Sequence, residues 1–211
     1  MSLSLHPILQ QSFAVIDQEI GEHSFSAAEY AIVRRIIHST ADFEFAQLIK
    51  FSPTAIESAI AALCRQAPIV TDVSMVKQGV TTLVTQTFGN PLISAVEQAP
   101  IALPGKTRTE TGILQCWQEF PQAIFAIGNA PTALLALSAE LSASSIQPPL
   151  IIGAPVGFIS VLESKAALTQ LSVPYICIQG RKGGSAVAAA IVNALLVLAW
   201  ETNNIGTFPS C

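Results

Sequence analysis

The chain has 211 residues, of which 51% are hydrophobic and only 11% are charged. This length fits one large domain, and so little charge predicts that much apolar surface is hidden, part of it in a subunit interface. A net charge of −4 without any run of Lys or Arg argues against a nucleic-acid partner. The N-terminus lacks the basic and apolar regions of a signal peptide, so we expect a cytoplasmic protein.

The cysteines and histidines indicate no metal chemistry. The four cysteines form no C-x-x-C pair, which predicts reduced structural thiols. The three histidines show no metal-binding spacing, and the sequence contains neither a Walker A loop nor G-x-G-x-x-G after a predicted strand. We therefore expect no metal site built by the protein and no cofactor.

The N-terminal part, about residues 6–66, has the apolar spacing of helices. Ser26 and Glu29 have the spacing of a capping box, and the helix that they open is predicted to end near His38. Ser52, followed directly by a proline, is predicted to cap a third helix.

A different pattern occupies about residues 67–200, where short apolar runs alternate with helical segments. The runs read "PIVTDV", "PLISAV", "AIFAIGN", "LIIGAP" and "PYICIQG". They do not alternate polar with apolar residues, which is typical of parallel strands covered on both faces. We predict an α/β fold: a parallel or mostly parallel sheet of about five strands with helices on both faces, preceded by the N-terminal helices. With a short C-terminal tail, residues 1–211 then form one domain.

The most apolar segment, residues 186–200, could be mistaken for a membrane span. It is shorter than the roughly 20 residues that a bilayer needs, and Asn193 lies in its middle. We predict a buried helix packed on the sheet or on a partner subunit, and no membrane association.

Ligands of such sheets bind outside the carboxyl ends of the strands, which directs attention to the loops "TDVSM", "IGNAPT", "GAPVGF" and "QGRKGGS". The last is the most suggestive. It combines two glycines, Arg181, Lys182 and a following helix N-terminus, a combination that suits a carboxylate or a phosphate. A solvated strand-to-helix turn is the alternative.

A second candidate anion site is "TRTE", residues 107–110, whose Thr and Glu have the spacing of a capping box. Arg108 falls in the first helical turn, where a cation opposes the helix dipole. Such a placement hints at a functional demand, although an exposed arginine in a first turn is common.

His38 is the one histidine whose position suggests chemistry. It shares a predicted helix face with Arg34 and Arg35. It could be an acid or base catalyst, or a cationic side chain that ends a helix favourably. No G-x-S-x-G motif offers a nucleophile, and the residues alone leave both interpretations open.

Several stretches taken together resemble the precorrin-8X methylmutase family of cobalamin biosynthesis. They are "HPI", "RRIIHSTADFEFAQLIKFSP", "APIVTDVSMVKQGV", "GKTRTETG", "AIGNAPTALLAL", "IIGAPVGFISVLESKAAL" and "VPYICIQGRKGGSAVAAAIVNAL". The resemblance runs in order from about residue 6 to residue 198. The combination of the last three is specific, whereas any single one would not be.

The resemblance implies a homodimeric isomerase that moves a methyl group from C-11 to C-12 of a tetrapyrrole. Its substrate would be precorrin-8X or cobalt-precorrin-8, and its product hydrogenobyrinic or cobyrinic acid. It implies that His38 is the catalytic acid/base residue and that an early serine, matched by Ser12, contacts the substrate. The full set of expected substrate-binding residues is Ser12, Thr107, Arg108, Thr109, Asn129, Arg181, Lys182, Gly183, Gly184 and Ser185.

One departure from the family lies directly after the histidine. The family often has small and apolar residues there, whereas this chain places Asp42 and Glu44 close to His38. Two other functions remain open at this stage: a non-catalytic corrinoid-binding protein, and a different α/β isomerase acting on an anionic small molecule.

Overall fold

The computed structural model describes residues 6–205, and its centre is a six-stranded sheet. The spatial order is β1-β6-β5-β4-β2-β3; β1 pairs antiparallel with β6, and every other pair is parallel. The strands are β1 (Ile49–Phe51), β2 (Ile69–Thr71), β3 (Leu92–Ser94), β4 (Ile124–Ile127), β5 (Leu150–Gly153) and β6 (Tyr175–Ile178).

Ten helices surround the sheet within the described residues. The N-terminal part and the first crossovers contain α1 (Pro7–Glu19), α2 (Ala27–Thr40), α3 (Phe45–Leu48), α4 (Ala55–Cys64), α5 (Ser74–Gln86) and α6 (Ala95–Gln98). The remainder are α7 (Arg108–Glu119), α8 (Pro131–Ser142), α9 (Val161–Thr169) and α10 (Ser185–Ile205).

The predicted sheet is confirmed, and it has one strand more than the sequence indicated. All five predicted strands are present as β2 to β6, parallel and covered by helices on both faces. The sixth, β1, is three residues long and contains an exposed lysine, so no apolar run marks it. The N-terminal part is therefore not only helical, since it also contributes a strand to the sheet.

The prediction that Ser52 caps a helix is wrong. Its hydroxyl accepts a hydrogen bond from the backbone N–H of Tyr175 at 2.8 Å, and its own N–H donates to the Tyr175 carbonyl at 2.9 Å. Ser52 thus prolongs the pairing of β1 with β6. The helix begins later, at Ala55, after an N-cap residue, Thr54, that makes no side-chain cap bond.

Both predicted capping boxes are present. Ser26 and Glu29 exchange hydrogen bonds at the start of α2, as Thr107 and Glu110 do at the start of α7. The second helix runs to Thr40, slightly beyond the predicted end.

Two apolar cores lie on opposite faces of the sheet. One is formed mainly by α1, α2, α4, α5 and α10, and the other by α7, α8 and α9. The predicted buried helix at 186–200 lies within α10, in the first core. By length and composition alone Ser185–Asn203 could cross a membrane, but 61% of it is buried within the fold, as in a core helix.

The chain reverses its direction across the sheet between β2 and β4. From β2 it moves outward to β3 through α5 on one face, and from β4 it moves the other way to β5 through α8 on the opposite face. Neighbouring parallel strands with this arrangement leave a crevice between their carboxyl ends, where α/β proteins bind ligands. The fold thus locates the candidate site.

Candidate functional site

The predicted site residues gather at the carboxyl edge of the sheet because of the direction of β1. Its first residue, Ile49, lies opposite Ile178, the last residue of β6. The preceding segment, 41–48, is thereby brought to the carboxyl edge, and the Gln179 N–H donates to the Leu48 carbonyl at 2.8 Å. The end of the histidine-bearing helix α2 therefore lies at the same edge as the loops that follow the parallel strands.

Asp72, directly after β2, organises the crevice between β2 and β4. Its side chain is fully buried. One carboxylate oxygen accepts from the N–H groups of Val73 and Gly128, each at 3.0 Å. The other accepts from Asn129 and Ala130, each at 2.7 Å. Burial raises the pKa of Asp72, whereas these four backbone donors favour its ionised form.

This carboxylate occupies the N-terminus of α8 from inside the protein. A free helix N-terminus would be available to an anionic ligand, but here the backbone donors of the "GNA" turn bind the protein's own charge. Asn129 can therefore contact substrate only through its exposed side chain.

The predicted "TRTE" segment lies beside this turn. The Thr107 hydroxyl is 3.1 Å from that of Thr109 and 3.1 Å from that of Thr132, in the first turn of α8. Thr107 and Thr109 thus lie together with Thr132, which was not among the predicted site residues, and Asn129 lies in the turn just before Thr132. The only signal for Thr132 in the sequence was its position in the "IGNAPT" loop.

Arg108 is engaged with the backbone. Its Nε donates to the Ala99 carbonyl at 2.9 Å and its Nη2 to the Val96 carbonyl at 2.8 Å, which ties α7 to the end of α6. This explains a cation in a first helical turn without any ligand. Contact between Arg108 and the substrate stays a prediction that only the remaining donors of the guanidinium could fulfil.

The β6–α10 loop, residues 179–184, adopts a conformation that requires glycine. Gly180, Gly183 and Gly184 have φ values of +71°, +154° and +123°. A Cβ on Gly183 would lie 2.3 Å from the Ala154 carbonyl oxygen, so a side chain there has no space. The loop is thereby packed on the β5–α9 loop, and Gly128 brings the β4–α8 turn against Ser185.

A buried lysine binds this loop through hydrogen bonds to its backbone. Lys165 on α9 is 4% exposed, and its Nζ donates to the carbonyls of Gly180 and Lys182, each at 2.7 Å. Burial lowers the pKa of Lys165 to about 8. Lys165 was not among the predicted site residues, although its place in the quoted "ESK" motif was a usable signal.

Lys182 is paired with carboxylates of this chain. Its Nζ lies 2.6 Å from Asp42 and 2.6 Å from Glu44. The hydrogen bonds raise the pKa of Lys182, and the same contact with Lys182 lowers the pKa of Asp42. The unusual acidic residues after the histidine thus connect the end of α2 to the β6–α10 loop.

His38 lies in the last turns of α2 and is exposed. Its ring contacts the Phe13 ring edge-on, with 5.6 Å between the centroids. Its imidazole forms no hydrogen bond with any residue in the range 6–205, so both ring nitrogens are available to a ligand. Ser12 precedes Phe13 on α1, and its hydroxyl donates to the Ile8 carbonyl at 2.9 Å.

Two large apolar side chains are exposed in the loop between β5 and α9. Phe158 and Ile159 in the β5–α9 loop are each 82% exposed. The Arg181 guanidinium lies 5.7 Å from the centre of the Phe158 ring. The β5–α9 loop separates the β6 end from the β4 end of the edge, which are two strand spacings or about 10 Å apart.

These features define an α/β protein whose carboxyl edge presents a histidine, cationic side chains and exposed apolar side chains. Residues 7–198 match the family "Precorrin-8X methylmutase". A cobalt-precorrin-8 methylmutase of a Synechocystis species is 54% identical, with 93% of this chain and 97% of that protein covered. A precorrin-8X methylmutase of a Sinorhizobium species is 39% identical, with 89% and 92% covered.

A solved structure leads to the same family. The crystal structure of a precorrin-8X methylmutase from Thermus thermophilus superposes with a TM-score of 0.86 at 39% identity, covering 92% of this chain and 96% of that one. The chain belongs to the precorrin-8X methylmutase family.

The buried carboxylate yields a first prediction. Asp72→Asn replaces one acceptor oxygen by an amide that cannot accept from the backbone donors, so we expect the free energy of unfolding to fall by about 3 kcal/mol. Asp42→Asn, at an ion pair that is accessible to water, should lower it far less. Urea unfolding of both variants checks this, and an Asp72→Asn protein as stable as wild type would contradict it.

The buried side chain of Lys165 yields a second prediction. Because its folded pKa of about 8 lies below its ordinary value of 10.5, the cost of burying its charge is present below pH 8 and disappears between pH 8 and 10.5. As the pH rises over this range, the free energy of unfolding of wild type should therefore increase by at most about 3 kcal/mol relative to that of Lys165→Met. Urea unfolding of both proteins at pH 7 and pH 10 measures the difference; no change in it would contradict the assignment.

Proposed function

We propose that this chain isomerises precorrin-8X or cobalt-precorrin-8 by moving a methyl group from C-11 to C-12 of the macrocycle, giving hydrogenobyrinic or cobyrinic acid. Its membership of the family supports the reaction, since relatives of up to 54% identity bear the names of these enzymes. A cytoplasmic location is part of the proposal.

The observation that carries the proposal is the position of His38. The imidazole is exposed at the carboxyl edge, next to the loops that the fold makes available to ligands. Because it forms no hydrogen bond within the described residues, it can bind a substrate atom without breaking a contact of its own. Histidine is the side chain that enzymes most often use to transfer protons.

The chemistry requires a proton donor and no nucleophile. Protonation of the conjugated macrocycle by His38 would draw electron density from the bond that holds the migrating methyl group. An isomerisation leaves the atoms unchanged, so the proton returns to the imidazole when the product forms. Any cobalt belongs to the substrate.

The surroundings of His38 suit a large apolar ring with carboxylate substituents. The exposed rings and alkyl groups of the β5–α9 loop can pack on the macrocycle, and Arg181 with the backbone donors of the β6–α10 loop can bind carboxylates. We propose that Ser12, Lys182, Ser185 and the threonine cluster of Thr107, Thr109 and Thr132 add polar contacts around the ring.

Assembly as a homodimer is also part of the proposal, with the interface at the carboxyl edge. The C-terminal helix, one candidate for the interface, is already largely covered within its own chain. Phe158, Ile159 and, beyond β3, Ile101 are each 82% exposed, and a second copy would remove them from water. The partner would then complete a cleft that a single chain leaves open.

Substitution of the histidine tests the reaction. Wild-type protein mixed with precorrin-8X should change the absorption spectrum over many turnovers, because methyl migration changes the chromophore. We expect His38→Ala to slow this by about 10²- to 10⁴-fold, the usual contribution of a general acid. Its affinity for hydrogenobyrinic acid should change by less than about threefold, well under the tenfold that 1.4 kcal/mol represents.

His23→Ala is the matched control, since His23 lies before α2 and stacks on Tyr30 near the opposite end of that helix. It should turn over like wild type. Near-normal turnover by His38→Ala would overturn the role of His38, and a stoichiometric spectral shift without turnover by wild type would indicate a binding protein.

The dimer is tested by light scattering at micromolar concentration, which should give twice the chain mass of 22.2 kDa. Phe158→Asp should shift the equilibrium towards monomer because the interface would bury an unpaired charge. Ile146→Asp, at the opposite edge of the sheet, should leave it unchanged. A monomeric wild type, or a Phe158→Asp protein that remains dimeric, would contradict this interface.

A further inference from the structure

Lys165 donates to two carbonyl groups of a single loop, those of Gly180 and Lys182. A buried ammonium group is costly unless its donors are used, and the loop that uses them contains much of the proposed substrate-binding set. This arrangement therefore does more than fill space between α9 and β6.

The carbonyl group between those two is also engaged. The Arg181 carbonyl accepts from the N–H of Gly157 in the β5–α9 loop at 3.3 Å. Three consecutive carbonyls, those of residues 180, 181 and 182, therefore point into the protein and are held there.

The N–H groups of the same peptide units must then point the other way. In a trans peptide the C=O and N–H groups are antiparallel, and no cis peptide occurs in the described chain. The N–H groups of Arg181, Lys182 and Gly183 donate to no acceptor within residues 6–205, whereas that of Gly184 is bound to the Ala154 carbonyl. Three successive free donors beside the N-terminus of a 21-residue helix, α10, favour an anion.

We propose that Lys165 is a positioning residue for substrate binding: it holds the loop so that the N–H groups of residues 181–183 receive one carboxylate of the tetrapyrrole. The inference rests on the proposed function for the identity of the carboxylate. The competing anion position, at the N-terminus of α8, is already filled by Asp72. Lys165 does not touch the substrate and acts only through the peptide units that it fixes.

The test compares Lys165→Met, which keeps the length of the side chain and removes its donors, with Lys50→Met, a control at an exposed lysine of β1. Each protein is titrated with hydrogenobyrinic acid and assayed with precorrin-8X, the substrate that gives this product. We expect Lys165→Met to raise both the Kd for the product and the KM about tenfold. Its kcat should change less than twofold, because His38 is untouched, and Lys50→Met should match wild type.

A purely structural role would give a different result. Loss of folded protein lowers the apparent kcat and leaves KM and Kd of the remaining molecules unchanged, and that pattern would overturn the proposal. So would a folded Lys165→Met protein that binds the product like wild type. Wild-type protein that binds the product without turnover would contradict the proposed reaction instead, and the comparison of Kd values would still decide the role of Lys165.

If Lys165→Met does not fold, a measurement on the wild type tests the proposed carboxylate site. Backbone amide signals of residues 181–183 are followed by nuclear magnetic resonance as hydrogenobyrinic acid is added. Amide protons that form hydrogen bonds to a carboxylate should move downfield, whereas the already bonded amide of Gly184 should move little. Unchanged signals from all three residues in a saturated sample would overturn the proposal.

Discussion

The buried carboxylate of Asp72 determines which parts of the carboxyl edge can bind a ligand. It lies where the chain reverses direction across the sheet, the place at which such folds usually admit ligands. It accepts one backbone hydrogen bond from Val73 and three from the turn between β4 and α8, so that turn is closed around a charge of the protein itself. Free backbone donors lie further along the edge, after β6, on the side where the end of α2 carries His38.

Most of the few cationic side chains of the chain form hydrogen bonds or ion pairs within the protein. Arg108 binds carbonyls at the end of α6, Lys165 binds carbonyls of the β6–α10 loop, and Lys182 is paired with Asp42 and Glu44. Arg181 is exposed over an aromatic ring. Recognition of a polyanionic substrate would then depend on backbone N–H groups as much as on charged side chains, which fits a protein with 11% charged residues.

The sequence predicted the parallel sheet, both capping boxes and the buried C-terminal helix, because each has a local signature: an apolar run, a Ser/Thr-to-Glu spacing, or a long apolar segment. It failed at β1 and at Ser52, since three residues show no periodicity and the strand exists only through its partner β6. It identified the loops but gave no role to Asp72 or Lys165. Their roles depend on turns that are distant in sequence, and the partners of a buried charge have no local pattern.

The short antiparallel strand β1 also constrains the order in which parts of this protein can fold. It pairs with β6, from the opposite end of the chain, so the end of α2 cannot reach its final position until almost all of the sequence has been synthesised. Before β1 pairs with it, β6 has an apolar, unpaired edge of the kind that recruits other chains. A chain shortened from its N-terminus would keep that edge open, so the loss of β1 would expose the protein to aggregation as well as remove its histidine.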